Sequence, residues 1–143
     1  MHEIDLDELL TRALPPDGPY SPSRLKAAAS AMRDLTEYLN NATLPGNIAE
    51  SAGYPGAVHD ILVRLYELTE RLPQLLEQLR VVAVDHWVDN PALRTTAGGE
   101  SARTLACNVS SALMLAQESL PSLARTLRAA SASSGSLYLA EDV

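Results

Sequence analysis

The sequence predicts an all-α fold, an antiparallel bundle of three long helices with a short N-terminal helix. Leucine and alanine dominate an apolar fraction of 46%, whereas phenylalanine is absent and aromatic residues make up only 4%. Strands favour β-branched and aromatic residues, so this composition indicates helices. Apolar residues also recur three and four positions apart over three long segments, as they do along one side of a helix. The chain of 143 residues has the length of one domain, so we expect a single helical-bundle domain over residues 1–143.

The first 40 residues predict a short helix, a stiff linker and the first long helix. The segment from Asp5 to Leu14 is acidic in its first turn, which the helix dipole favours. A proline-rich stretch ends this helix, so we interpret residues 1–19 as a short helix and linker. Ser21 followed by proline is typical of a helix start and predicts a helix over Ser21–Asn40. Its apolar row consists of Leu25, Ala28, Met32, Leu35 and Leu39.

The second long helix is predicted over Val58–Trp87, after a loop rich in glycine and proline with one short turn at Ile48 to Ala52. Its apolar row is spaced like the heptads of packed helices. Three further apolar residues widen this row, which indicates more than one neighbour. The row consists of Val58, Ile61, Leu65, Leu68, Leu72, Leu75, Leu79 and Val82, and it is widened by Leu62, Tyr66 and Leu76.

The third long helix is predicted over Glu100–Ala132. A polar stretch with two glycines precedes it, and a serine-rich segment follows it. We therefore expect residues 133–143 to form a flexible C-terminal tail. The apolar row of this helix consists of Leu105 or Ala106, Val109, Leu113, Ala116, Leu120, Leu123, Leu127 and Ala130.

The last two long helices repeat each other at an offset of 48 residues in the sequence. Both contain the pattern E-x-L-P-x-L-x-x-x-L-R, which starts at Glu70 in one and at Glu118 in the other. The shared proline is the informative part of the pattern, because a proline inside a helix costs about 3 kcal/mol. Since the apolar rows continue in phase on both sides, we predict continuous helices kinked at Pro73 and Pro121. The alternative is two helix breaks, with Ser119 capping a new helix in the second copy.

The segment Arg71 to Leu79, followed by a polar gap and an alanine-rich helix, resembles small uncharacterised Leu/Ala-rich helical proteins of actinobacterial genomes and mobile elements. The resemblance covers residues 55–135 and rests on a leucine-rich motif. It implies a helical fold and a bacterial source, and it implies no activity.

Charge and the termini indicate where such a chain works. The formal net charge is −7 and no segment is basic, so we expect no nucleic-acid partner and no membrane partner. The N-terminus is acidic where a signal peptide would be basic, and no apolar stretch has the length of a membrane span. We therefore expect a cytoplasmic protein. The single cysteine, Cys107, is interpreted as a buried small apolar residue.

The residue patterns of catalysis and metal binding are missing from the sequence. The histidines are His2, His59 and His86, and no two of them have the spacing of a helical metal site. No serine lies in a nucleophile motif. We therefore predict a protein that is not an enzyme, with no catalytic, cofactor-binding or metal site, no cofactor and no evident small-molecule substrate.

One alternative function comes from residues 48–64. The order of Ile48 and Ala49, a glycine and an apolar second helix is similar to a degenerate helix-turn-helix of a transcriptional regulator. The residues placed to read bases would be His59, Asp60 and Arg64, and one of these is acidic. An ordinary interhelical loop is the favoured interpretation.

The favoured function is a non-enzymatic protein–protein interaction module, an accessory or regulatory subunit. We expect the partner to be a second copy of the chain or another protein, because apolar rows of this length exceed what soluble monomers expose. The candidate interaction surface is Leu62, Tyr66, Leu76 and Trp87. The alternative is that the N-terminal helix covers the row within one chain, through Leu6, Leu9, Leu10 and Leu14.

Overall fold

The computed structural model describes residues 5–96 and 98–140, and within these residues every regular element is helical. The predicted all-α class is therefore confirmed. The chain divides into two compact units, with the boundary between Ser51 and Ala52. The sequence predicted one domain, whereas the structure has two units, each held together mainly by contacts within itself. Residues 1–4 and 141–143 of the predicted terminal segments lie outside the described residues.

The described part of the chain contains six α-helices and one π-helical segment. In order they are α1 (Leu6–Ala13), α2 (Pro22–Ala42), α3 (Ile48–Ala52), α4 (Pro55–Gln78), the π-helical segment (Leu79–Val84), α5 (Asp85–Val88) and α6 (Ala102–Ser134).

The first unit contains α1 and α2, whose starts follow the predicted capping. Asp5 caps α1, its carboxylate accepting from the Glu8 amide at 3.1 Å. Ser21 caps α2, its hydroxyl accepting from the Arg24 amide at 3.2 Å. Leucines of α1 and the apolar row of α2 line the same shallow cavities, so α1 lies along that row. The shared lining includes Leu6 and Leu10 of α1 and the adjoining Leu14, with Ala28, Ala31, Met32 and Leu35 of α2.

The second unit is built on α4 and α6. Helix α4 begins at Pro55, earlier than predicted, because proline at the first helical position loses no hydrogen bond. The helix continues through Pro73 and then through the π-helical segment into α5. Helix α6 is capped by Ser101, continues through Pro121 and ends at Ser134. The two prolines are therefore internal to continuous helices, and no new helix starts at Ser119.

The C-terminal boundary differs from the prediction, because residues 133 and 134 belong to α6. Ser131 and Ser134 are buried. The ring of His59 lies against the Ser131 carbonyl, at 2.8 Å from Nδ1, and against the Ser134 hydroxyl, at 3.1 Å. These contacts secure the last helical turn, which the serine-rich composition had indicated to be loose.

Among the described residues, only small and medium-sized side chains are buried. The buried residues are Ala52, Thr69, Val84, Ala106, Ser131 and Ser134. Most leucines of the apolar rows are half-buried or exposed. The second unit therefore presents a large apolar surface, which is the candidate functional feature.

Candidate interaction surface

Helices α4 and α6 pack antiparallel and form a helical hairpin. Polar contacts fix its register at both ends. At one end His59 meets Ser131 and Ser134. At the other, the Ser110 hydroxyl donates to Asp85 at 2.5 Å, and Arg103 pairs with Asp89 at 3.1 Å.

The two repeated prolines lie opposite each other at the middle of this hairpin. Both line one cavity, and the polar contacts at the two ends place them midway along the pair. The antiparallel register thus places the two copies of the 48-residue repeat side by side, with Pro73 and Pro121 at equivalent positions near the middle.

From burial and helical spacing we infer that one row of residues on each helix forms the contact between them. All of its members are buried or half-buried, and several are small enough to let the helices approach closely. This contact row consists of Leu62, Tyr66, Thr69, Pro73, Leu76 and Arg80 on the first arm, and Ala106, Ser110, Leu113, Gln117, Ala124 and Ser131 on the second.

The residue immediately before every member of the contact row is apolar. A helix turns by about 100° per residue, so these residues lie beside the contact. Because the two helices run antiparallel, the preceding residues of both helices lie on the same side of the hairpin. We call this side the apolar face, and it consists of Ile61, Leu65, Leu68, Leu72, Leu75 and Leu79, with Leu105, Val109, Ala112, Ala116, Leu123 and Ala130.

The apolar face is open to solvent along much of its length. It carries no ionisable side chain and spans about 27 Å along the helix axis. Its most exposed large residues are each at least 40% accessible, and they come from both helices. They are Leu68, Leu75, Leu79, Val109 and Leu123.

The predicted surface residues occupy a different position. Leu62, Tyr66 and Leu76 belong to the contact row and are half-buried, whereas Trp87 is 46% exposed. The leucines on the neighbouring side of α4, such as Leu68, Leu75 and Leu79, are more exposed. The reason is that α4 and α6 approach through small residues such as Thr69 and Ala106, which leaves the larger leucines beside the contact.

Cys107 is also placed differently from the prediction, because it is exposed. It follows the buried Ala106 by one position in α6, and the rotation of about 100° per residue takes it out of the contact.

Tyr66 is held in place by two charged neighbours beside the contact. Its hydroxyl hydrogen-bonds to Glu70, and this bond is the main cause of a raised pKa of the phenol, with smaller contributions from desolvation and from the Glu70 charge. The guanidinium of Arg128 lies 6.0 Å from the centre of the Tyr66 ring, and its positive charge lowers the pKa of the phenol. The Glu70 carboxylate and the Arg128 guanidinium are both engaged with this one side chain.

The segment predicted as an alternative helix-turn-helix consists of α3 and the start of α4. Helix α3 has five residues, and α4 starts three residues after it ends. His59 is engaged with Ser131 and Ser134 of α6, and Arg64 pairs with Glu67 at 2.8 Å. An imidazole held in this way is not presented to a DNA groove, so the geometry does not favour base reading by these residues.

Neither a metal-ligand cluster nor a membrane-spanning helix is found among the described residues. Within residues 5–96 and 98–140, no group of three histidine, cysteine, aspartate or glutamate side chains converges as metal ligands do. In the same residues, none of the helices combines the length and the hydropathy needed to cross a lipid bilayer. Comparison of the chain with protein-family models, curated proteins and solved structures produced no match.

The contact of His59 with the end of α6 gives a stability prediction. A Cβ added at Gly135 would lie 3.1 Å from Cε1 of His59, so the ring must shift and weaken its bond to the Ser131 carbonyl. Alanine is ordinarily favoured over glycine in helical backbone, so the ring displacement is read against a second glycine: we expect the free energy of unfolding of Gly135→Ala to be about 1 kcal/mol below that of Gly46→Ala. Gly46→Ala is the control, because nothing lies within 4 Å of its added Cβ. Urea denaturation of both variants with equal midpoints would contradict this role of His59.

Proposed function

We propose that this chain is a non-enzymatic helical protein–protein interaction module, an accessory or regulatory subunit whose contact surface is the apolar face of the hairpin. The observation that carries the proposal is the exposure of leucines from both helices on one uncharged side. Removing such a surface from water is favourable by about 25 cal/mol per Å². Large exposed apolar patches of soluble proteins mark interaction sites.

The partner that fits this face is a second copy of the chain. The face consists of one apolar row from each of two helices, and a second copy presents the same two rows, so two faces packed together enclose all four rows. Two hairpins packed face to face form a four-helix bundle, with the interhelical packing common to such bundles. Closed two-fold pairing is also the commonest form of association between identical chains.

A bundle of three long helices within one chain is the competing arrangement, in which α2 would cover the apolar face. The apolar row of α2 supports this less well, because α1 already lies along it through Leu6, Leu10 and Leu14. A second copy has no such competing contact. We further propose that α4 and α6 bend at Pro73 and Pro121, so that two curved helices nest along the hairpin.

Co-expression of two differently tagged copies tests the proposal. We expect the two forms to co-purify, and we expect the complex to persist at high salt, because apolar contacts are not screened by ions. Separate elution of the two copies after co-expression would contradict pairing. Loss of the complex at high salt would show that charge holds the copies together instead of the apolar face.

The DNA-binding alternative makes a different prediction. A regulator that reads DNA through residues 48–64 binds its own promoter region, weakens as salt rises and loses affinity on Arg64→Ala. From the net charge of −7 and the engaged His59, we expect no salt-sensitive binding in fluorescence anisotropy. Nanomolar, sequence-selective binding that Arg64→Ala abolishes would reverse the ranking of the two functions.

A further inference from the structure

A cavity of about 300 Å³ lies where the two prolines meet, on the side of the hairpin opposite the apolar face. The residues of the apolar face come one position before the contact row, whereas Glu70 and Arg125 each come one position after a member of it. Because a helix turns by about 100° per residue, these two side chains lie on the other side of the hairpin. Its floor is apolar and its rim is charged. The floor includes Pro73, Pro121 and Ala124, and the rim includes Glu70, Arg125 and Arg128.

The internal repeat shows how this cavity arises on one side of the proline pair. At the repeated positions, Ala124 corresponds to Leu76, and Arg125 corresponds to Glu77. The alanine leaves space that a leucine would fill. The arginine replaces a negative charge with a positive one. The two halves of the repeat thus differ in both volume and charge at the positions that line this cavity.

The charges at the rim are not equivalent. Glu70 is bonded to the Tyr66 hydroxyl, and Arg128 lies over the Tyr66 ring at 6.0 Å. Arg125 makes no ion pair within residues 5–96 and 98–140, and it lines the cavity. A guanidinium has a planar fork of donors that matches a carboxylate.

We propose that this cavity binds a small organic carboxylate, with the carboxylate on Arg125 and the apolar body against Pro73, Pro121 and Ala124. The volume is at the lower end of the range for small-molecule sites, which selects a ligand of one ring or a short chain. Because the cavity and the apolar face lie on opposite sides of the hairpin, ligand binding and pairing do not compete for the same surface.

Titration of the full chain with benzoate, followed by NMR chemical shifts, tests this inference. We expect a Kd of about 1–10 mM for a probe of this size, with shifts confined to residues around the prolines. Benzamide, which has the same shape without the charge, should bind at least about tenfold more weakly. Equal binding of the two probes, or no saturable shift with benzoate, would overturn the proposal.

Two variants replace a cavity residue with the residue found at the corresponding position of the other repeat, which is Glu77 for Arg125 and Leu76 for Ala124. Arg125→Glu should abolish benzoate binding by reversing the charge, and Ala124→Leu should abolish it by filling the floor. Arg71→Glu, which makes the same charge change on a residue that does not line the cavity, should leave binding unchanged. Since Arg125 is exposed, its variant is expected to keep the helical circular dichroism spectrum. Unchanged affinity in a folded Arg125→Glu protein would overturn the assignment, whatever Ala124→Leu does.

Discussion

Leu75→Glu is expected to convert the paired protein into single chains. Leu75 lies near the middle of the apolar face and is 44% exposed within one chain, so a glutamate there is tolerated by the isolated hairpin. In a two-fold pair, two such glutamates would be buried without partners, at a cost of several kcal/mol. We therefore expect the Kd of self-association to rise at least about 100-fold, an effect of about 2.7 kcal/mol.

The neighbouring residue provides a matched control. Gln74→Glu adds the same side chain one position earlier in α4, and the rotation of about 100° per residue takes it off the apolar face. Light scattering should show the mass of one chain for Leu75→Glu and the wild-type mass for Gln74→Glu. If both variants keep the wild-type mass, the apolar face is not the contact surface.

Pro73→Ala is expected to leave the fold intact and to raise the free energy of unfolding by about 1–3 kcal/mol. Inside α4 the proline removes the hydrogen bond to the Thr69 carbonyl, and alanine restores the donor. The loss of the apolar proline ring from the cavity lining offsets part of this gain. Urea denaturation monitored by circular dichroism measures the change.

Pro55→Ala is the control for this prediction. Pro55 is the first residue of α4, where a proline forfeits no intrahelical bond, so its replacement should change stability little. A loss of stability in Pro73→Ala, with Pro55→Ala unchanged, would mean that a bent backbone at Pro73 is required for packing against α6. The interpretation of this proline as an intrinsic cost would then be wrong.

The positions of the helices could be predicted from the sequence because capping residues and apolar spacing are local signals. Ser21 with Pro22 marks the start of α2, and the shared prolines mark the repeat that pairs α4 with α6. The π-helical segment Leu79–Val84 has no such signal. It changes the register of the first arm beyond Leu79, which apolar spacing alone does not reveal.

The side of each helix that is buried between α4 and α6 could not be predicted from the sequence. When two helices approach closely, small residues form the contact, so the side richest in leucine is not the buried one. Thr69, Ala106 and Ala124 permit a close contact between α4 and α6, and the leucines one position earlier are left beside it. The exposure of Cys107 has the same origin. The cavity could not be predicted from the sequence of either helix alone. Its lining is brought together only by the antiparallel register, which places Ala124 and Arg125 opposite the Tyr66–Pro73 segment.

Sedimentation equilibrium of the wild-type chain at micromolar concentration tests the central claim most directly. If the apolar face pairs with that of a second copy, the measured mass should be about twice the 15.3 kDa of one chain. The mass should fall toward that of one chain only on dilution. A single species of 15.3 kDa at all concentrations would contradict pairing, and it would indicate that the apolar face is covered within one chain.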